Sequence, residues 1–158
     1  MKVSNLSFRA SSLGGVFHNV REAEGIKAVH TAVDNGMNFI DVSPYYGHYK
    51  AEIVLGKALK DIPRDKYYLS TKVGRYGKDG VNLWDYSAKR AIESVYESME
   101  RLHIDYIDLI NVHDVEFADM RQVVNITLPA LVGLREKGVV GHVGITDLQF
   151  CLLYTSDA

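Results

Sequence analysis

The feature that most constrains this chain is an alternation: short apolar runs that stop on a polar residue, separated by stretches of helical periodicity. The clearest run is FIDVSPYYG, residues 39–47, which reaches a carboxylate at Asp41 and enters a loop carrying Tyr46. Later runs stop on Lys72 (67–72), on His113 (106–113) and on Thr146 after His142-Val143-Gly144-Ile145. Strands alternating with helices form a parallel sheet, and such sheets build their chemistry at the carboxyl ends of the strands. The pattern therefore brings Asp41, Tyr46, Lys72 and His113 to one edge.

Around these runs the rest of the chain falls into place. Residues 3–15 read as a first strand closing on Gly14-Gly15, a turn where backbone can approach a ligand, with Phe17 in the loop beyond. Ala23, Ile26, Val29 and Val33 recur at helical spacing and Asn35-Gly36 ends that helix. Ala51, Val54, Leu55, Ala58 and Leu59 give a second helix, ended before Pro63. Residues 73–86, rich in Gly, Asp and Asn and carrying Trp84, are expected to be a long functional loop overhanging the pocket. Ser87 reads as the N-cap of a third helix striped by Ala91, Ile92, Val95, Met99 and Leu102. A fourth helix spans 120–137, interrupted or bent near Pro129 and stopped by Gly138, before a fifth strand at 141–145.

Five strands and four helices in about 150 residues fit either a complete doubly wound sheet or the first half of an eight-stranded barrel, which needs roughly 250. A GxGxxG fingerprint after the first strand is missing, which argues against a dinucleotide-binding doubly wound sheet and for the half-barrel. With 47% apolar residues the 158-residue chain has material for one core. A net charge of −2 without a basic cluster excludes the electrostatic footprint of a nucleic-acid binder. No apolar run reaches membrane-spanning length and the N-terminus lacks a signal-peptide layout, so the expected location is cytoplasmic. The histidines show no metal-ligand spacing, and the single cysteine, Cys151, belongs to no disulfide framework. Residues 151–158, CLLYTSDA, back-translate into a sequence like a transposase-library adapter; they are expected to be non-native, leaving residues 1–150 as the domain.

The four strand-end residues have complementary chemistry. A phenol titrating near ~10 becomes a usable acid and base when an ammonium lies beside it, so Lys72 is expected to favour the Tyr46 phenolate. Asp41 would orient Lys72, and His113 would donate a hydrogen bond to a carbonyl oxygen. None of these groups carries hydride, so a redox role needs a nicotinamide-type cofactor.

FIDVSPYYG, LSTKVG, SMERLHIDYIDLINVHD and GITDL resemble, in order and in strand position, the motifs of aldo-keto reductases. Within that family SLGGVF, DVSPYYG, TKVGRYG and VHDVEF look most like L-galactose dehydrogenase-like members. The resemblance implies an α/β fold, a (β/α)8 TIM barrel present to about its fifth strand and fourth helix. It implies an NAD- or NADP-dependent oxidoreductase acting on a carbonyl or sugar, with Asp41, Tyr46, Lys72 and His113 catalytic and Tyr46 the general acid/base. Gly15, Asp41, Thr146 and Asp147 are the expected cofactor contacts, with Thr146-Asp147 standing where many relatives have Ser-Asn. The nicotinamide-stacking aromatic and the adenosine-phosphate site are expected beyond residue 150. Phe17 and Trp84 are the expected substrate walls. Relatives resembling potassium-channel β subunits suggest a second reading, a non-catalytic regulatory subunit.

Overall fold

The computed structural model describes residues 1–78 and 81–147. The expected boundary at residue 150 and the tail 151–158 lie outside the described residues. Five strands form one parallel sheet: β1 (Phe8–Arg9), β2 (Phe39–Asp41), β3 (Tyr68–Val73), β6 (Ile107–Val112) and β7 (Val140–Ile145). They lie side by side in chain order, with no reversal of direction across the sheet. A doubly wound sheet has a switch point where the strand order reverses; sequential order without one is how a barrel wall is laid down. The half-barrel reading is the one the topology matches.

Helices α1 (Glu22–Asp34), α2 (Lys50–Leu59), α3 (Ala88–Leu102) and α5 (Leu128–Glu136) connect the strands and pack on one another in sequence. Two cores sit between helices and sheet. Val29, Val54 and Leu55 meet Ile40, Val42 and Leu69 in one; Val95, Leu131 and Leu134 meet Val73, Ile110 and Val112 in the other. Ile40, Leu55, Leu69 and Ile110 are each fully buried, and each contributes about 1.5–3 kcal/mol by leaving water. Period-two alternation does the rest. Leu69, Thr71 and Val73 point to the helices, so Ser70 and Lys72 point to the opposite face.

Several local expectations hold. The Ser87 side chain accepts from the Arg90 backbone N–H at 3.3 Å and caps α3. His103, at φ +56°, closes that helix. Two expectations need correction. The first strand is only Phe8–Arg9, because Ala10–Gly14 turns into a 3-10 helix that buries Ala10, Ser11 and Leu13. Residues 73–86 are not a plain loop: β4 (Arg75–Lys78) and β5 (Val81–Trp84) pair antiparallel as a separate two-stranded ribbon. The fourth helix is divided into α4 (Met120–Gln122), a π-helical stretch Val123–Thr127, and α5 with Pro129 near its start. The break lies one turn before the proline, which cannot donate to the preceding ladder.

Candidate active site

Register explains why the expected residues meet. Arg9 pairs with Asp41 across β1 and β2, Asp41 with Ser70 across β2 and β3, and Lys72 with Asn111 across β3 and β6. His113 continues β6 by donating its backbone N–H to the Val73 carbonyl at 2.8 Å, and Thr146 continues β7 by donating to the Val112 carbonyl at 2.9 Å. Asp41, Lys72, His113 and Thr146 all lie at or just past the carboxyl ends of their strands.

Lys72 is 4% exposed. Its Nζ donates to Asp41 Oδ1 at 2.5 Å and to the Val42 carbonyl at 2.8 Å. Burial pulls its pKa below the usual lysine value, and the Asp41 carboxylate works against that shift. The Tyr46 ring lies over this ammonium, 5.2 Å from centroid to Nζ, and meets the His113 ring edge-on at 5.9 Å. Asp41, Tyr46, Lys72 and His113 thus form one contiguous cluster.

The loop carrying Tyr46 is held by backbone contact. A β-carbon on Gly14 would lie 2.5 Å from the Tyr46 carbonyl oxygen, and one on Gly47, whose φ is +63°, would lie 2.1 Å from the Gly14 carbonyl oxygen. The Gly14-Gly15 turn therefore approaches the backbone of the Tyr46 loop itself, which only glycine permits. Gly15, at φ +77°, ends the 3-10 helix and faces Asn19.

Arg9 was not singled out from sequence. Its Nη2 donates to the Tyr46 hydroxyl at 2.8 Å. Lys72 was expected to be the cation beside the phenol; it lies under the ring instead, because Asp41 and the Val42 carbonyl hold its ammonium. The Tyr46 pKa is raised, by burial first and then by Asp41, with Arg9 opposing. The phenol keeps its proton in this state.

His113 is buried and neutral. Burial, followed by the positive charges of Lys72, Arg75 and Arg9, drives its pKa down to about 2. Its Nδ1 lies 3.1 Å from Ser43 Oγ and its Nε2 lies 3.4 Å from Asp114 Oδ1. Tyr86 donates to the carbonyls of His113 and Asp114 at 2.9 and 3.0 Å, fixing the backbone of a loop in which Asp114 takes φ +49°. Thr146 ties the same loop to β7: its Oγ1 accepts from the Asp114 N–H at 3.3 Å and its carbonyl from the Val115 N–H at 3.0 Å.

A wall of rings closes one side. Arg75, from β4, pairs with Asp114 at 2.5 Å and stacks on Tyr45 at 3.7 Å and Trp84 at 4.6 Å, while Trp84 packs on Phe117 at 4.5 Å. Trp84 therefore adjoins the cluster. Phe17 does not: it is 73% exposed and makes no ring contact among the described residues. Among the described residues no group of three or more His, Cys, Asp or Glu is placed to hold a metal ion, and no helix is long and apolar enough to cross a membrane.

The chemistry of this donor set fits a nicotinamide. Its groups hold or move a proton at oxygen and none carries hydride, which is the part a nicotinamide supplies. Thr146 and Asp147 follow directly after β7, at the same edge of the sheet.

Comparison with known proteins agrees with this geometry. Residues 6–152 match the aldo/keto reductase family. The chain belongs to that family. It is 45% identical over 150 residues to L-galactose dehydrogenase of Arabidopsis thaliana, covering 94% of this chain and 46% of that protein. It is 40% identical over 144 residues to D-arabinose 1-dehydrogenase of Saccharomyces cerevisiae, covering 85% of this chain and 41% of that protein. An aldo-keto reductase from Bacillus halodurans, solved in its holo form, superposes with a TM-score of 0.80 at 32% identity, over 93% of this chain and 47% of that one. The chain spans about half the length of the curated relatives it matches.

Proposed function

We propose that this chain is part of an NAD- or NADP-dependent oxidoreductase that interconverts the alcohol and carbonyl of a sugar such as L-galactose. The observation that carries the reading is the convergence of three strand ends and the loop after β2 on one cluster: the Asp41–Lys72 pair beneath Tyr46, with neutral His113 against the same ring. Such a cluster moves a proton on and off an oxygen while leaving the carbon to another agent. Thr146 and Asp147, directly after β7, would hold a nicotinamide, which supplies or accepts the hydride when bound.

In the reducing direction the Tyr46 hydroxyl delivers its proton to the carbonyl oxygen. The phenolate left behind is stabilised by the Lys72 ammonium under its ring and by the Arg9 guanidinium at its oxygen. In the oxidising direction the same oxygen takes the proton of the substrate hydroxyl. His113, being neutral, donates a hydrogen bond to the substrate oxygen without competing for its proton. Arg75, Trp84 and Phe117 form a ring wall against which a sugar would pack.

L-Galactose is the first substrate to try, because the Arabidopsis relative is an L-galactose dehydrogenase. The test follows NADH and NADPH formation by the full-length protein over a panel of aldoses, and their consumption over a panel of aldehydes and ketones. Oxidation of L-galactose or a related aldose is expected. Absence of turnover across both panels would overturn the reading.

A further inference from the structure

We infer that Ser43 is a positioning residue that, with Asp114 opposite it, clamps His113 in the tautomer carrying its proton on Nε2. The inference rests on the reading that His113 donates to the substrate oxygen, and it says which atom donates and what makes it do so.

Ser43 and His113 are 0% and 4% exposed, so the polar atoms between them must satisfy one another. Ser43 Oγ lies 3.1 Å from His113 Nδ1 and also accepts the Tyr45 backbone N–H at 3.2 Å. A hydroxyl has one proton to give and two lone pairs. With one lone pair used by Tyr45, its proton is available to Nδ1, which then must be the unprotonated nitrogen.

The other end of the ring decides between the alternatives. His113 Nε2 faces Asp114 Oδ1 at 3.4 Å, while Asp114 Oδ2 accepts from Arg75 Nη1 at 2.5 Å. Were the proton on Nδ1, the Nε2 lone pair would face a carboxylate lone pair, and the Ser43 proton would have lost its imidazole acceptor. With the proton on Nε2, every neighbour is complementary: Tyr45 N–H to Ser43 Oγ, Ser43 O–H to Nδ1, Nε2–H toward Asp114, and Asp114 neutralised by Arg75. Both ends of the imidazole select the same tautomer.

The lengths suit the task. At 3.4 Å the Nε2–H contact to Asp114 is long for a hydrogen bond, so the donor is aimed without being held, and an incoming oxygen can take it over. The contact to Ser43 is shorter and fully enclosed, which fixes the ring. Arg75, by pairing with Asp114, also removes the incentive for that carboxylate to protonate the histidine.

Nitrogen NMR of the full-length protein, with isotope-labelled histidine and His113 assigned by its loss in H113N, reads the tautomer without any turnover. His113 is expected to be neutral with the proton on Nε2. In S43A the unprotonated Nδ1 resonance is expected to move, because its hydrogen-bond donor is gone, and kcat is expected to fall by about tenfold or more with less change in KM, as for loss of orientation at an oxyanion donor. S43T, which keeps the hydroxyl, is expected to restore the Nδ1 position. A wild-type spectrum with the proton on Nδ1 would overturn the clamp, and so would an S43A spectrum with Nδ1 unmoved; if S43A does not fold, the wild-type tautomer decides alone. Loss of turnover in a protein with the expected tautomer would count against the proposed reaction and leave the clamp standing.

Discussion

Thr71 and Lys72 are neighbours on β3, and they end in two buried polar networks on opposite faces of the sheet. On the helix side Thr71 Oγ1 donates to Glu52 Oε1 at 2.7 Å, and Arg101 Nε donates to Glu52 Oε2 at 2.7 Å. Arg101 in turn reaches Ser98 Oγ at 3.1 Å. Both carboxylate oxygens of Glu52, a residue with 0% exposure, are used. On the other face Lys72 meets Asp41, but the groups around them are strained out of their ordinary ionisation: lysine pulled down, Tyr46 pushed up, His113 driven to about 2. The first network joins α2, α3 and β3. The second joins strand ends and loops.

The difference teaches how to sort buried charge in this molecule. A network closed on itself stabilises a packing arrangement, whereas one with a displaceable donor and perturbed groups at the end of a sheet is suited to chemistry. The sharpest way to break this distinction is to replace Tyr46 by Phe in the full-length protein. The ring contacts to Lys72 and His113 remain and only the transferable proton is lost. Turnover is expected to fall by about 10²–10⁴-fold, the usual worth of general acid–base catalysis, while cofactor binding, followed by fluorescence, and the melting temperature stay close to wild type. Lys72→Met should lose turnover similarly, because the phenolate loses the cation under its ring. A Tyr46→Phe protein with unchanged turnover would reduce the second network to a structural one.

The converse change is Glu52→Ala. It leaves Arg101 without its main buried acceptor and Thr71 Oγ1 without a partner. Breaking a buried pair from one side costs about 3–5 kcal/mol, and denaturant unfolding should show a loss of that size. The turnover of whatever folded protein remains should be close to wild type. Equal damage to both properties would mean that the two faces of β3 are not independent.

The pH dependence separates the two networks again. His113 binds a proton near pH 6.5 when unfolded and only at about pH 2 when folded, so between those values the unfolded state holds more protons. Stability therefore rises with pH across that window and falls on acidification. The contribution of this one residue should amount to about 2 kcal/mol lost between pH 7 and pH 5. His113→Asn should flatten the stability profile between pH 5 and 7 relative to wild type; an unchanged slope would show that His113 is not held neutral.

How much of this was legible in the sequence follows from which contacts are local. The strand ends Asp41, Lys72 and His113 could be found because each closes an apolar run, and sequential βα alternation fixes their edge. The cap at Ser87 and the stripe of α3 depend on neighbours three or four residues away and were equally visible. Arg9 was missed because its role comes from register: it stands opposite Asp41 only once a two-residue β1 pairs with β2. Ser43 lay inside the quoted motif, yet its partner is 70 residues away. The β4–β5 ribbon had a signal that went unread, the Asp79-Gly80 dipeptide between short alternating runs, which is a common hairpin sequence. Arg75 inherits its position from that ribbon, so its pairing with Asp114 was hidden as well.

The smallest expected effect belongs to Thr71 itself. Thr71→Val replaces a hydroxyl by a methyl of almost the same volume in a position with 0% exposure, so no cavity forms and β3 keeps a β-branched residue suited to a strand. What is lost is the hydrogen bond to Glu52 Oε1. Leaving a buried acceptor short of a donor costs about 1–3 kcal/mol, and here the lower end applies because Arg101 still holds the other oxygen of the same carboxylate. Denaturant midpoints of the full-length variant should fall accordingly with an unchanged m-value, since the folded surface is the same. Turnover should not change, although the substitution sits one residue from Lys72. Consecutive side chains on a strand point to opposite faces, so the only route from Thr71 to the Asp41–Lys72 pair is through the backbone, and an isosteric replacement gives the backbone no reason to move. A fall in kcat comparable to that of Lys72→Met, with stability hardly altered, would show that the helix-side network positions the lysine, and the two faces of β3 would then have to be treated as one device.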